Sequence, residues 1–97
     1  MAVSALLAGQ LLVSCNGDKN LKKGEQYWAI GEYYEAAQEF AKAYAKTPPS
    51  MKEKRGKIAY KVAESNRRMN YYAKAQAGYR NAVRYKYTDT LTYFYLA

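Results

Sequence analysis

The sequence predicts an all-α protein made of helical hairpins, about two and a half repeats at the start of an α-solenoid. Small and aromatic residues recur at spacings of four and then three, which places them on one face of a helix. The spacing occurs twice, so a single amphipathic surface helix does not account for it. The two predicted faces are Ala36, Phe40 and Ala43, and then Ala75, Tyr79 and Ala82.

Residues that interrupt helices mark the ends of these elements. Gly31 permits a left-handed turn between the first two helices, and Asn70, which also tolerates that conformation, occupies the corresponding place later in the chain. Pro48 cannot continue the helix that it follows. The predicted helices are residues 20–30, 33–46, 51–68 and 71–85, with a fifth that begins near residue 89.

Side chains that can cap helices stand before several of these elements. Ser50 and Glu53 have the spacing of a capping box, which predicts that the third helix begins near Met51. The other expected caps are Asp18 or Asn20 for the first helix and Thr88 or Asp89 for the fifth.

The stretch from Gly31 to Pro48, GEYYEAAQEFAKAYAKTP, resembles the second half of a tetratricopeptide repeat. A second copy of the pattern begins at Asn70, and Tyr87 stands where its proline would be. The first helix of each hairpin also fits the family pattern. The resemblance predicts that the helices pack through Gly24, Gly31, Ala36, Phe40, Ala43, Pro48, Ala63, Ala75, Tyr79 and Ala82.

The distances between equivalent positions indicate an insertion. Ala63 and Ala97 are 34 residues apart, the standard length of this repeat, whereas Gly24 and Ala63 are 39 apart. We expect the additional residues to lengthen the third helix at its start. The first unit fits least well, because Asn20 and Lys23 stand where apolar residues are expected, so we expect the first helix to be a solvated cap.

The amino-terminal stretch resembles an export and lipidation signal. Residues 1–14 are uncharged and look like the apolar core of a secretory signal, and they are too short to span a membrane. The following LVSC resembles a bacterial lipobox that ends in Cys15, the only cysteine. This predicts a lipid on Cys15, a tether over residues 15–19 and a repeat domain over residues 20–97, truncated in its third repeat. A buried structural cysteine is the alternative.

Both ends of the chain depart from these patterns. No Lys or Arg precedes the apolar run, so we expect that the first codons are lost or that the start is misplaced. The fifth helix would stop at Ala97 with Tyr93 and Leu96 uncovered, so we expect the natural chain to continue.

Positive charge is concentrated in residues 51–86, which hold eleven Lys or Arg against two glutamates, whereas the remaining residues sum to −1. A solvated helix face is the usual explanation of such a run, and a surface for anionic partners is the functional one. Tyrosines between the basic residues would suit stacking on nucleic-acid bases. The export signal favours lipid headgroups, cell-wall polymers and acidic proteins instead.

The composition offers little for catalysis. The chain has no histidine, its cysteine is predicted to be acylated, and no pair of carboxylates shares a motif with a nucleophile or with metal ligands. We therefore expect a protein that is not an enzyme and that uses no cofactor, metal or small-molecule substrate.

The lipobox, the tyrosine-rich repeat and residues 63–97 together resemble the amino-terminal part of a family of OmpA-family, PorE-like outer-membrane lipoproteins of type IX secretion. Members join tetratricopeptide repeats to a β-propeller and a peptidoglycan-binding domain. The resemblance implies a periplasm-facing scaffold, held in the outer membrane through acylated Cys15, with protein partners in an envelope assembly. Wall binding is not implied for these 97 residues, which contain neither of the other domains.

The predicted partner surface is the concave face formed by the first helix of each repeat. Two functions remain open: a scaffold that holds a segment of a protein partner, and a basic module that binds nucleic acid or another polyanion. A charged start upstream of Met1 would favour the scaffold, and an intact cytosolic start would favour the second function. The candidate partner-binding residues are Tyr27, Asn66, Tyr93, Arg67 and Arg68, with Ala59 as a further lining residue.

Overall fold

In the computed structural model, residues 17–86 of the 97-residue chain are described. They form four helices joined by short turns, with no strand in that range, which confirms the all-α prediction for this part. The predicted fifth helix with Thr88, Asp89 and Tyr93, and the signal with Cys15, lie outside the described residues. The helices are α1 (helical over 17–29), α2 (Tyr33–Lys46), α3 (Lys52–Arg68) and α4 (Tyr72–Arg84).

The turn between α1 and α2 ends the first helix with two backbone hydrogen bonds. The amide of Gly31 donates to the carbonyl of Trp28 (3.0 Å), and the amide of Glu32 donates to that of Tyr27 (2.9 Å). Gly31 has a φ of 79°, a left-handed conformation that glycine adopts without steric cost. This is a Schellman motif, in which a left-handed residue lets the chain satisfy carbonyls at a helix end.

The turn between α3 and α4 repeats this arrangement 39 residues later. The amide of Asn70 donates to the carbonyl of Arg67 (2.9 Å), and the amide of Tyr71 donates to that of Asn66 (2.9 Å). Asn70 has a φ of 63°, so its prediction as the counterpart of Gly31 is confirmed. The two hairpins, α1–α2 and α3–α4, therefore share one turn geometry.

Most of the predicted packing positions are buried. Gly31 and Pro48 are exposed, because they lie in the first turn and in the loop after α2. The buried ones are Gly24, Ala36, Phe40, Ala43, Ala63, Ala75, Tyr79 and Ala82. The face of each hairpin's second helix that the spacing predicted is therefore the face that packs, and α3 lies between α2 and α4 and contacts both.

Glycines allow the closest helix contacts. A Cβ on Gly24 of α1 would lie 2.5 Å from the ring of Phe40 of α2, which is itself buried. A Cβ on Gly78 of α4 would lie 2.8 Å from the Cβ of Ala63 of α3. Both distances are shorter than carbon atoms tolerate, so each contact requires a glycine.

The loop between α2 and α3 is held by Arg55. Its Nη1 donates to the carbonyl of Thr47, just after α2, and to that of Tyr44 (3.3 Å), and the Tyr44 carbonyl also accepts from the amide of Thr47 (3.2 Å). The guanidinium carbon lies 4.1 Å from the centre of the Tyr44 ring and 5.3 Å from that of Tyr85. Thr47 is extended, with φ −88° and ψ 122°, because the following proline excludes the helical conformation.

The predicted capping box before α3 is wrong. The residue before the helix is Met51, and no side chain there makes a capping hydrogen bond. Ser50 lies one residue too early, in a turn where the amide of Met51 donates to the carbonyl of Pro48 (3.0 Å). Two successive prolines begin that turn, and the helix therefore starts only after Ser50.

The predicted cap of α1 is also wrong, because the chain is already helical at residue 17 and includes both Asp18 and Asn20 within the helix. Their side chains bind other helices instead. Asp18 accepts from Nζ of Lys54 (2.6 Å), and Nδ2 of Asn20 donates to Glu39 (3.0 Å). These bonds hold the start of α1 against the middle of α2 and the start of α3.

Candidate partner-binding groove

A groove runs between α1 and α3, the first helices of the two hairpins, and Phe40 of α2 forms its floor. It has a volume of about 230 Å³. A second depression continues it toward the start of α3, past Leu21 and Met51. We call this feature the α1–α3 groove; its main lining is Glu25, Trp28, Phe40, Lys57, Tyr60, Lys61 and Glu64.

The floor of the groove depends on the contact between Gly24 and Phe40. Because position 24 has no Cβ, the ring of Phe40 lies directly against α1. Nζ of Lys61 lies 5.8 Å from the centre of that ring and forms an ion pair with Glu25 of α1 (3.1 Å). The pair links the two walls above an aromatic floor.

One end of the groove is built around Glu64. This carboxylate accepts from Nε of Arg67 (3.0 Å), from its Nη2 (3.1 Å) and from the hydroxyl of Tyr79. Burial acts to raise the pKa of Glu64, but the hydrogen bonds from Arg67 and Tyr79 outweigh it and hold the pKa below its ordinary value. Burial, together with the bond to Glu64, raises the pKa of Tyr79. Glu64 is therefore negatively charged at neutral pH, and both of its carboxylate oxygens accept hydrogen bonds.

Aromatic rings extend this end of the groove. The rings of Tyr60 and Tyr79 are 5.9 Å apart. Trp28 packs edge-on against Tyr33 with 4.9 Å between ring centres, and the guanidinium carbon of Arg68 lies 5.4 Å from the Trp28 ring. Aromatic side chains with a polar tip suit a surface that is half buried and also contacts a partner.

Lys57 is an unpaired cation in the main lining of the groove. It is exposed and lines both depressions. Lys61 is paired with Glu25 and Lys54 with Asp18, whereas Lys57 forms no ion pair within residues 17–86. A carboxylate of a partner could pair with Lys57 without displacing an existing interaction.

The structure exposes some of the predicted partner-binding residues and buries others. Tyr27 is 36% exposed and Arg68 is also exposed. Asn66 is buried, with Nδ2 donating to the carbonyl of Val62 (3.1 Å), so it is removed from the accessible surface. Arg67 donates hydrogen bonds to Glu64, and Ala59 is buried. Tyr93 is outside the described residues.

Sequence reasoning missed the residues that form most of the groove. Four of them lie on one face of α3, because their spacing is three, one and three residues: Lys57, Tyr60, Lys61 and Glu64. That spacing was readable, but their polar and charged character made the face look like an ordinary solvated one.

Residues 17–86 contain no group of three or more His, Cys, Asp or Glu that could hold a metal ion. None of the described helices has the length and apolar character of a membrane span. No protein-family model, curated protein or solved structure matches this chain.

Proposed function

We propose that the protein is a non-catalytic scaffold of the tetratricopeptide-repeat type, whose α1–α3 groove holds a segment of a protein partner. The observation that carries this proposal is the recurrence of one hairpin at an offset of 39 residues. The recurrence includes the turn hydrogen bonds, the left-handed residue and the buried face of the second helix. Hairpins that recur in this way stack side by side, and their first helices make an extended surface suited to a peptide.

The lining of the groove supports a partner segment with an apolar side chain next to an acidic one. Trp28 and Tyr60, which are half-buried, offer aromatic surface, and Lys57 offers an unpaired positive charge beside it. Glu64 is engaged by Arg67 and Tyr79, so its charge is largely compensated within the protein. A partner of this composition would gain apolar burial and one ion pair.

The proposed setting is the bacterial envelope. The apolar residues 1–14 and the lipobox-like LVSC support an exported protein that is anchored through acylated Cys15. The resemblance to lipoproteins of type IX secretion supports a periplasm-facing place in an outer-membrane assembly. Within that proposal the helical domain is the part that binds other proteins.

Site-specific photocrosslinking in the producing bacterium tests the scaffold function. A benzophenone amino acid at position 57 lies in the groove, and the same amino acid at position 80 lies on the exposed side of α4. We expect a discrete crosslinked protein from position 57, none from position 80, and loss of the product when Tyr60→Ala is added. Equal products from both positions, or a product that nuclease removes, would contradict the scaffold function.

A second candidate function is binding of nucleic acid or another polyanion. The observation that favours it is that Lys52, Arg80 and Arg84 are exposed and form no ion pair within residues 17–86. Fluorescence anisotropy with a labelled single-stranded oligonucleotide tests it across a salt series. Saturable, strongly salt-dependent binding that Arg80→Gln and Arg84→Gln weaken would support this function, because each phosphate contact that is lost lowers both the affinity and its dependence on salt.

A further inference from the structure

Four helix ends meet at one end of the bundle. Arg55, at the start of α3, lies over the ring of Tyr44 near the end of α2 (4.1 Å) and over that of Tyr85 just after α4 (5.3 Å). Nζ of Lys46, the last residue of α2, donates to Oδ1 of Asn20 near the start of α1 (2.7 Å). The starts of α1 and α3 therefore lie beside the ends of α2 and α4. The two hairpin turns lie at the opposite end, which we call the turn end.

Positive charge is concentrated in the helix halves that form the first of these ends. These halves, with the loop after α2, are residues 17–23, 40–60 and 78–86, and we call them the basic end. They hold twelve Lys or Arg against two acidic residues. The other halves, residues 24–39 and 61–77, hold four Lys or Arg against five glutamates. The basic residues come from all four helices, so only the packing of the helices brings them together.

Most cations of the basic end are exposed and unpaired. Two form ion pairs, Lys54 with Asp18 (2.6 Å) and Lys42 with Glu39 (3.1 Å), and Arg55 is half-buried. The remaining ones are exposed and form no ion pair within residues 17–86: Lys19, Lys22, Lys23, Lys46, Lys52, Lys57, Arg80, Arg84 and Lys86. Their charge is therefore available to an anionic surface.

The positions of the aromatic residues disfavour single-stranded nucleic acid as that surface. Proteins that bind it combine positive charge with exposed rings on which bases stack. At the basic end the half-buried rings of Tyr44 and Tyr85 already face Arg55, and the large hydrophobic residue exposed there is Met51. The exposed tyrosines of the described residues lie on or beside the two turns instead: Tyr27, Tyr34, Tyr71 and Tyr72.

The place where the chain enters the domain favours a lipid surface. Cys15 is two residues before Gly17, which is the first described residue and lies at the start of α1. An acyl chain on Cys15 would therefore be attached within about 7 Å of the basic end. An acyl chain with basic residues beside it is a combination that holds proteins on anionic bilayers.

We propose that the basic end lies on anionic phospholipid headgroups, so that the helices stand on the membrane with the turn end pointing away from it. The proposal rests on the proposed envelope setting and adds an orientation to it. Glu32 and Glu35, near the first turn, lie roughly 15–20 Å from Lys46 along the axis of α2. This distance exceeds the Debye length of about 8 Å at physiological ionic strength, so the headgroups do not repel these glutamates appreciably.

Vesicle binding by the full chain with Cys15→Ser tests the proposal without an acyl chain. Binding is measured to vesicles of phosphatidylcholine and to vesicles of an equimolar mixture with phosphatidylglycerol, which is anionic. Residues 1–14 have no charged side chain, so any contribution from them is the same on both vesicle types. We expect a strong preference for the anionic vesicles, and we expect added salt to weaken it.

Matched removal of charge locates the surface. Lys19→Gln with Lys52→Gln removes two unpaired cations from the basic end, and Arg68→Gln with Lys74→Gln removes two from the turn end. Each basic residue near an anionic surface strengthens binding about fivefold, so the first pair should lower the preference about 25-fold. The second pair should leave it nearly unchanged. Circular dichroism confirms that each variant keeps its helices.

Three results would overturn the proposal. One is equal binding to the two vesicle types, and another is an equal loss of preference with both pairs of substitutions. The third is displacement from the vesicles by a single-stranded oligonucleotide at equal phosphate concentration, which would assign the basic end to nucleic acid. Failure of the wild type to incorporate fatty acid would contradict the anchor instead, because the vesicle experiment uses a chain that has no acyl group.

Discussion

Gly78 of α4 lies directly against Ala63 of α3, so that a Cβ at position 78 would be 2.8 Å from the Cβ of Ala63 and 3.0 Å from its backbone nitrogen and Cα. The obstructing atoms include backbone, which cannot rotate aside. The α3–α4 hairpin therefore closes on a glycine, although glycine within a helix costs about 1 kcal/mol relative to alanine.

We predict that Gly78→Ala destabilises the protein. Alanine would favour the helix by about 1 kcal/mol, but overpacking costs about 1 to 3 kcal/mol, and backbone atoms at this contact place it at the upper end of that range. Urea unfolding should show a net loss. Ala77→Gly, at the exposed neighbouring position, measures the effect of helix propensity on stability without any change in packing. A stabilised Gly78→Ala variant would mean that α3 and α4 are farther apart than described.

A second prediction concerns Ala75, which is 3% exposed in the core with Ala63 and Tyr79. Replacing it by leucine adds three carbon atoms at a position that is buried against Ala63 and Tyr79, so Ala75→Leu should lower stability by about 1 to 3 kcal/mol. Ala77→Leu makes the same replacement at an exposed position of α4 and should be close to neutral. Thermal melting of the two variants checks the difference. Equal melting temperatures would show that Ala75 is not tightly packed against α3.

The Glu64 network predicts a dependence of stability on acid pH. The pKa of Glu64 is lower in the folded protein than its ordinary value of 4.5. A carboxyl of this kind stabilises the fold above its unfolded pKa, and the contribution is lost as pH falls through the folded pKa. Stability measured by urea unfolding should therefore fall below about pH 4.5.

The control for this effect is Glu64→Gln, which keeps the shape of the side chain and removes its titration. This variant should be less stable than the wild type at pH 7, and the difference in stability should narrow as the pH falls below 4.5, because the wild type then loses the stabilisation that its charged carboxylate contributes. Tyr79→Phe removes one donor to Glu64 and should reduce the pH-dependent part without abolishing it, because Arg67 still donates twice. A constant gap from pH 7 to pH 3 would contradict the assignment.

The lipid anchor is tested through Cys15, the only cysteine, which directly follows an uncharged apolar run. Expressed in a bacterium with basic residues placed before the apolar run, the wild-type protein should enter the membrane fraction and incorporate labelled fatty acid. Cys15→Ser should do neither, because each buried acyl methylene contributes about 0.8 kcal/mol to membrane binding. Unlabelled wild-type protein in the soluble fraction would contradict the lipoprotein hypothesis.

Local patterns in the sequence were sufficient to predict much of this fold. The boundaries of α2 were predicted at Tyr33 and Lys46, and the structure has the same two residues. Spacings of three and four define a helix face before any partner helix is known, and a left-handed turn requires a residue that tolerates positive φ. The burial of Phe40 and Tyr79 and the positive φ of Gly31 and Asn70 follow from such local rules, and the structure has all four, although Gly31 does not pack against another helix.

The remaining features depend on which helices pack together. Ser50 and Asn20 have side chains suited to capping, but neither caps a helix. Helix α3 begins only after Met51, two residues beyond Ser50, and Asn20 lies inside α1. Asn66 was expected at the surface, yet it is buried at the turn. The bond from Tyr79 to Glu64 and the contact of Gly78 with Ala63 join residues 15 apart in the chain. Backbone conformation follows from neighbours in sequence, whereas burial, ion pairing and the shape of the groove arise only when separate helices meet.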